Sequence, residues 1–119
     1  MQLGLRTHDE VLAHPRLGAS WEGFAIEQLI SQSRAASDEM FFWRTQHGAE
    51  LDLMIVRGGR KTGFEVKWTT APSLTSSMRS ALDDLKLEHL FVVHSGEHEF
   101  SLAKRVTALP LVHALRKIG

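Results

Sequence analysis

Asp52, Glu65 and Lys67 have the side-chain types that metal-assisted phosphodiester chemistry uses, and all three fall in one short segment, "ELDLMIVRGGRKTGFEVKW", residues 50–68. Two apolar-rich runs flank Gly58-Gly59, a pair favoured in two-residue primed hairpin turns. With that turn Arg57 faces Arg60, Asp52 faces Glu65 and Glu50 faces Lys67. Side chains alternate along a strand. Glu50, Asp52, Glu65 and Lys67 are therefore expected on one face, and Leu51, Leu53, Ile55, Phe64, Val66 and Trp68 on the other. Met54, Val56 and Gly63 continue the charged face towards the turn, so part of that face should lie under a helix. Like charges directly opposite on a sheet cost about 0.2–1 kcal/mol, and more where burial strips their water. A shared proton, the Lys67 ammonium or a divalent cation relieves the repulsion. Magnesium accepts one or two carboxylates, waters and substrate phosphate. An ion so held polarises a phosphodiester and activates a water, with Lys67 placed to orient that water or to offset transition-state charge. A solvated strand face laced with Glu50–Lys67 and Asp52–Lys67 pairs explains the hairpin equally well, since such pairs are common and worth about 0–1 kcal/mol each.

The surrounding pattern supplies the elements that must carry these residues. "SWEGFAIEQLISQSR" reads as a helix with Ser20 as N-cap and Glu22 in its first turn. Glu22, Ile26, Leu29 and Ile30 lie along one face, and on this segment alone Glu22 reads as a dipole-stabilising first-turn residue. "MFFWRT" is a short aromatic-rich strand, "QHGA" a turn, and the hairpin follows. "TTAPSL" ends it. Leu74, Met78, Ala81, Leu82 and Leu85 then mark an amphipathic helix. "HLFVVHS" is a strand covered on both faces, "EFSLA" its partner, and a last helix starts at Pro110 with Leu111, Ala114, Leu115 and Ile118 on one side. Residues 1–17 read as a lead-in arm, with a short helix over roughly Asp9–Ala13, and 18–119 as a single domain. The order is helix, three strands, helix, strand, strand, helix: an α/β fold with a mixed sheet between helices.

Composition narrows the classes. The 119 residues suit one domain, and a 43% apolar share suffices for one core. No apolar run approaches the ~20 residues of a membrane span, and "MQLGLRTHDE" lacks a signal core, so no membrane partner is expected and the cytoplasm is the default location. There is no cysteine, hence no disulfide framework and no zinc-thiolate site. Fourteen basic residues balance fourteen acidic ones. The chain is thus not a strongly basic nucleic-acid binder, and any such contact must come from a local patch.

"ELD" with Asp52, followed by "FEVK" with Glu65 and Lys67, resembles the motif of the PD-(D/E)xK nuclease superfamily. "LGASWE", with Gly18 and Glu22, resembles the first-helix motif of its Holliday-junction resolvase branch. The series "HPRLGASWEGFAIEQLI", "FFWRTQHGAELDLMI", "GFEVKWTTAPSLTSSMRSALDDL" and "ALPL" resembles one family in particular, a domain of unknown function found C-terminal to bacterial and archaeal AAA-type ATPases. Leu51 stands where the name-giving proline of the motif would be, which removes no ligand. The resemblance implies a restriction-endonuclease-like αβββαβ core, a mixed central sheet flanked by helices. It implies Mg2+ or Mn2+ held by Asp52 and Glu65 with Glu22 in support, and Lys67 assisting catalysis. Glu50 is an accessory candidate on the same face. The implied activity is DNA phosphodiester hydrolysis, with branched and single-stranded DNA among the candidate substrates. The alternative is a catalytically inactive nuclease-fold module that binds nucleic acid or protein and regulates an ATPase. No GxxxxGK[ST] loop occurs, so the ATPase domain is expected to be missing from this chain. A homodimer is compatible with the sequence.

Other polar signals read more blandly. Arg57, Arg60 and Lys61 form a basic hairpin tip, while Arg44 and Arg79 are candidates to approach the charged face. The seven histidines read as surface or structural, with His94 and His98 flanking a turn. Trp21, Trp43 and Trp68 read as core packing rather than base-stacking groups.

Overall fold

The first helix, α1 (Pro15–Ser33), buries Ala25 and Leu29 and packs Ile26, Ile30 and Trp21 beside them, the 3.6-residue stripe read from the sequence. The computed structural model of the chain describes residues 15–44, 46 and 50–118. The expected Asp9–Ala13 helix and most of the "QHGA" turn lie outside the described residues. Helix α1 runs from Pro15, so Ser20 is not its N-cap and Glu22 lies beyond its first turn. Proline is well suited to a first helical turn because it lacks the N–H that would go unpaired there. The boundary drawn between residues 17 and 18 consequently falls inside a helix.

A 3-10 turn (Ser37–Glu39) leads into β1 (Met40–Arg44), β2 (Glu50–Arg57), β3 (Arg60–Lys67), α2 (Ser76–Leu85), β4 (His89–His94), β5 (Phe100–Ala103), β6 (Val106–Pro110) and α3 (Leu111–Ile118). The six strands form one mixed sheet in the order β1-β2-β3-β4-β6-β5. The β1, β2 and β3 strands are antiparallel neighbours, β3, β4 and β6 run parallel, and β5 pairs antiparallel with β6. Strand β6 was not read from the sequence. "VTALP" is short and follows the basic pair Lys104-Arg105, and Pro110 ends the strand rather than starting the helix. As a result β6, not β5, is the neighbour of β4.

Gly58 and Gly59 have φ of +56° and +80°, as a primed turn requires, and the ladder runs from Arg57↔Arg60 to Leu53↔Phe64. One core lies between the sheet and α1/α3, with Leu53, Ile55, Phe64 and Val66 facing Ala25, Leu29, Ala114 and Ile118. The other lies under α2, where Met54, Leu90 and Val92 meet Met78, Ala81 and Leu82. Helix α2 is closed at its start by Thr75, whose hydroxyl accepts the Met78 N–H at 3.2 Å, and at its end by Lys86 in the left-handed region. Leu51 departs from the expected alternation. It joins the α2-side core with Met54, not the α1-side core with Leu53 and Ile55.

Gly18 sets how closely α1 approaches the end of β3. A Cβ there would lie 2.6 Å from Trp68 Cδ1, inside contact distance of a ring that itself packs on Trp21 with centroids 5.4 Å apart. Gly18→Val is expected to cost about 2 kcal/mol through overpacking, read as a lower urea midpoint.

His94 is 1% exposed. Its Nδ1 accepts the Gly96 N–H at 3.0 Å, and its Nε2 lies 2.8 Å from the His98 carbonyl. Together these contacts call for a neutral ring with the proton on Nε2. Burial lowers its pKa from 6.5, so its contribution to stability is complete above that value and is lost as pH falls below it, where the unfolded chain takes up the proton. The advantage of wild type over His94→Gln in urea midpoint should therefore shrink as pH falls below neutral.

Candidate active site

The site begins with a register shift at the outer edge of the sheet. Phe41 pairs with Met54 but Trp43 pairs with Leu51, so Asp52 and Leu53 together stand opposite the single residue Phe42. This β-bulge re-aims the side chains around it and carries Leu51 to the α2 side. It also interrupts the hairpin ladder. Continuing the alternation of rungs, the Val66 N–H would bond to the Leu51 carbonyl. It donates instead to Asp52 Oδ2 at 2.7 Å. The Asp52 carboxylate is thereby fixed between two strands by a backbone donor.

Glu65 lies next to it on β3, only 4% exposed. Its pKa is pushed up from 4.5 to about 9, first by burial, then by the hydrogen bond to Asp52, then by repulsion from that carboxylate. Lys67 opposes this shift and Glu50 adds to it. At neutral pH Glu65 holds a proton and donates it to Asp52. The two acids expected to converge from adjacent strands do so, and a shared proton relieves their repulsion.

Lys67, two residues along β3, is exposed and lines a cavity of about 300 Å³ with Thr69, Thr75 and Met78 at the start of α2. Among the described residues no carboxylate lies within ion-pair distance of it. The Glu50–Lys67 and Asp52–Lys67 surface pairs are not formed. Glu50 pairs instead with Arg44 at 3.0 Å, its opposite number across β1 and β2, and the bulge that carries Leu51 to the α2 side turns this pair away from the expected charged face. The backbone of Glu50 is tied to α2 through the Ser77 hydroxyl, which accepts its N–H at 3.1 Å and donates to its carbonyl at 3.3 Å.

Glu22 reaches the same end of β3 from α1. Its Oε2 accepts the Trp68 N–H at 3.0 Å, immediately beyond Lys67, and the missing Cβ of Gly18 permits that approach. Glu22 is not among the groups acting on Glu65. Among the described residues no group of three or more His, Asp or Glu side chains is arranged to hold a metal ion. The oxygen donors come as the Asp52–Glu65 pair.

The sequence profile of a domain of unknown function, DUF4143, matches residues 17–114. The chain belongs to the DUF4143 family. "Uncharacterized protein Mb2031c" of Mycobacterium bovis and "Uncharacterized protein Rv2008c" of Mycobacterium tuberculosis are each 48% identical to it over 108 residues, 91% of this chain and 24% of each relative. The chain thus spans about a quarter of the length of the curated relatives it matches. No solved structure matches it.

The remaining polar groups of this DUF4143 domain sit apart from the acid pair. Arg57 and Arg60, with Lys117, rim a cavity of about 360 Å³ floored by Ile55, Phe64 and Phe91, at the hairpin tip and away from Asp52. Arg57 also donates to the Ser33 carbonyl and binds the hairpin tip to the end of α1. Arg79 is exposed on α2. His89 bonds to the Thr107 hydroxyl at 2.8 Å and His113 to Glu99 at 3.1 Å, both structural roles. His47 lies outside the described residues. Trp21 and Trp68 pack on each other, and Trp43 packs partly against the α2-side core. No helix among the described residues is long and apolar enough to cross a membrane. Two features escaped the sequence reading. One is the Ser77 anchor, whose signal was only a serine in the first turn of α2. The other is a pocket of about 270 Å³ beside Asp52, lined by Phe42, Trp43, Arg44, Glu50 and Leu51.

Proposed function

We propose that this domain hydrolyses DNA phosphodiesters with Mg2+ or Mn2+, in the manner of the PD-(D/E)xK nucleases, as the C-terminal domain of an ATPase-type protein. One observation carries the reading: two carboxyl groups from adjacent strands in contact over a single proton, with an exposed lysine alongside. Two carboxyl groups held in contact from adjacent strands are a donor pair whose mutual repulsion a divalent cation would relieve. The donors are hard oxygens, which suit Mg2+ and Mn2+. Two carboxylates are also enough for Mg2+, which completes its shell with water and substrate phosphate.

Asp52 and Glu65 would hold the ion, and its binding would release the Glu65 proton. When bound, the ion supplies Lewis acidity towards the phosphodiester and a water of lowered pKa. The chain's own groups do the rest. The Val66 N–H fixes the Asp52 carboxylate, so little reorganisation is left for the reaction itself. Lys67, without a carboxylate partner among the described residues, is available to orient the attacking water and to offset charge gathering on the phosphate oxygens. Glu22 holds the β3 end that carries Lys67. Incubating the domain with supercoiled, single-stranded and branched DNA tests the reading, with and without Mn2+ and chelator. Mn2+-dependent cutting is expected. Absence of cutting on all three, with no calorimetric Mn2+ binding at millimolar concentration, sinks it.

A second reading, a non-catalytic module that regulates an ATPase, is favoured by the zero formal net charge and by the hold of Glu65 on its proton. On that reading DNA binds without being cut.

A further inference from the structure

We infer that the pocket beside Asp52 receives an unstacked nucleobase, which makes single-stranded DNA, not intact duplex, the substrate of the site. This rests on the hydrolytic reading for its chemistry but on separate residues for its binding. Strand β1 is the outer strand of the sheet among the described residues and carries the exposed ring of Phe42, 67% accessible. A large apolar ring left open on an edge strand beside a pocket marks a contact surface. Phe42 and Trp43 line a pocket of about 270 Å³ whose other wall includes Asp52 and Glu50, with Arg44 among its lining residues. The same bulge that fixes Asp52 is formed opposite Phe42. The aromatic wall and the proposed catalytic carboxylate are therefore built by one backbone irregularity, and a nucleotide phosphate at Asp52 leaves its own base beside Phe42.

The chemistry selects a base over other occupants. The pocket combines aromatic side chains with hydrogen-bonding groups of both kinds, the Arg44 guanidinium as donor and the Glu50 and Asp52 carboxylates as acceptors. Arg44 and Glu50 pair on the surface with side chains 80% and 49% exposed, a contact that gives way at little cost. Phosphate neutralisation serves duplex and single strand alike, so the choice between them falls to the bases. Stacking on aromatic side chains needs no net charge and accepts every base. In a duplex those base faces are covered by neighbouring base pairs. Only an unpaired strand, an end or a branch presents them.

Fluorescence anisotropy of labelled oligo(dT) and of a blunt hairpin duplex, on the whole chain without Mn2+, tests the inference. The controls are Phe42→Ala and the exposed Phe24→Ala on α1. Oligo(dT) should bind at least about tenfold tighter than the duplex, and Phe42→Ala should remove about tenfold of that affinity. Phe24→Ala should change nothing, and the Mn2+ affinity and Tm of Phe42→Ala should match wild type. Equal affinity for both DNAs, or an oligo(dT) affinity untouched by Phe42→Ala, overturns the inference. So does a concentration-dependent dimer that Phe42→Ala dissociates without changing DNA binding, which would assign the ring to an interface between copies. Binding through Phe42 without any cutting would leave this inference standing and remove the hydrolytic one. Mn2+-dependent cutting of duplex and single strand at equal rates would do the reverse.

Discussion

Asp52→Asn is expected to lower Mn2+-dependent DNA cutting by about 10³-fold or more, with the fold kept. The asparagine Oδ1 can still accept the Val66 N–H that Asp52 Oδ2 takes at 2.7 Å, so the bulge and the hairpin survive. What disappears is the negative charge that pairs with a divalent ion. Nicking rates at saturating Mn2+, circular dichroism and a urea titration check the three parts of that statement. Lys67→Ala should lower the rate by about 10²-fold. Because Lys67 is exposed on β3, its stability cost should stay within about 0.5 kcal/mol. Unchanged cutting in both variants would locate the chemistry elsewhere or in a contaminant.

Glu65→Gln should stabilise the metal-free protein at alkaline pH while abolishing Mn2+ binding. Glu65 keeps its proton up to about pH 9 in the folded chain, whereas an unfolded glutamate loses it near 4.5. Between those values the folded state binds the extra proton. The stability tied to it is complete below about pH 4.5 and is lost as pH rises towards 9. Glutamine preserves a neutral donor towards Asp52 and has no proton to lose. At pH 8 the variant should therefore exceed wild type by about 5 kcal/mol, more than about 10 °C in Tm, with the gap closing in acid. A wild-type Tm flat from pH 5 to 9, with no gain in the variant, would show Glu65 ionised and partnered by Lys67. For the same reason Mn2+ affinity of the wild type should rise with pH, because the ion and the proton compete for one carboxyl group.

The hairpin shows how far local chemistry reaches. Gly58-Gly59 fixes the turn, the turn fixes Arg57 opposite Arg60, and alternation carries that register to Leu53↔Phe64. Glu65 and Lys67 follow on one face because nothing interrupts β3. The stripe of α2 was equally legible, with Met78, Ala81 and Leu82 buried as their spacing required. The placement of Leu51 was not legible. Its side of the sheet depends on how many residues of β2 stand opposite β1, which is a property of the pair and not of either strand. The same shift frees the Val66 N–H for Asp52. The sixth strand was obscured for a related reason: "VTALP" is too short to declare itself and is a strand only because β4 and β5 flank it.

By itself, then, the sequence determined the types and order of most elements, the turn, and the approach of the acids with a lysine on the same strand as Glu65. These follow from dihedral preferences and periodicity within a few residues. Only the tertiary structure decided that Glu65 is buried and keeps its proton, that Asp52 replaces a backbone rung, and that Glu22 anchors the end of β3. It alone opened a ring-lined pocket beside the acids. Each of these depends on solvent exclusion and on donors contributed by distant segments, and neither is encoded in the spacing of any one strand.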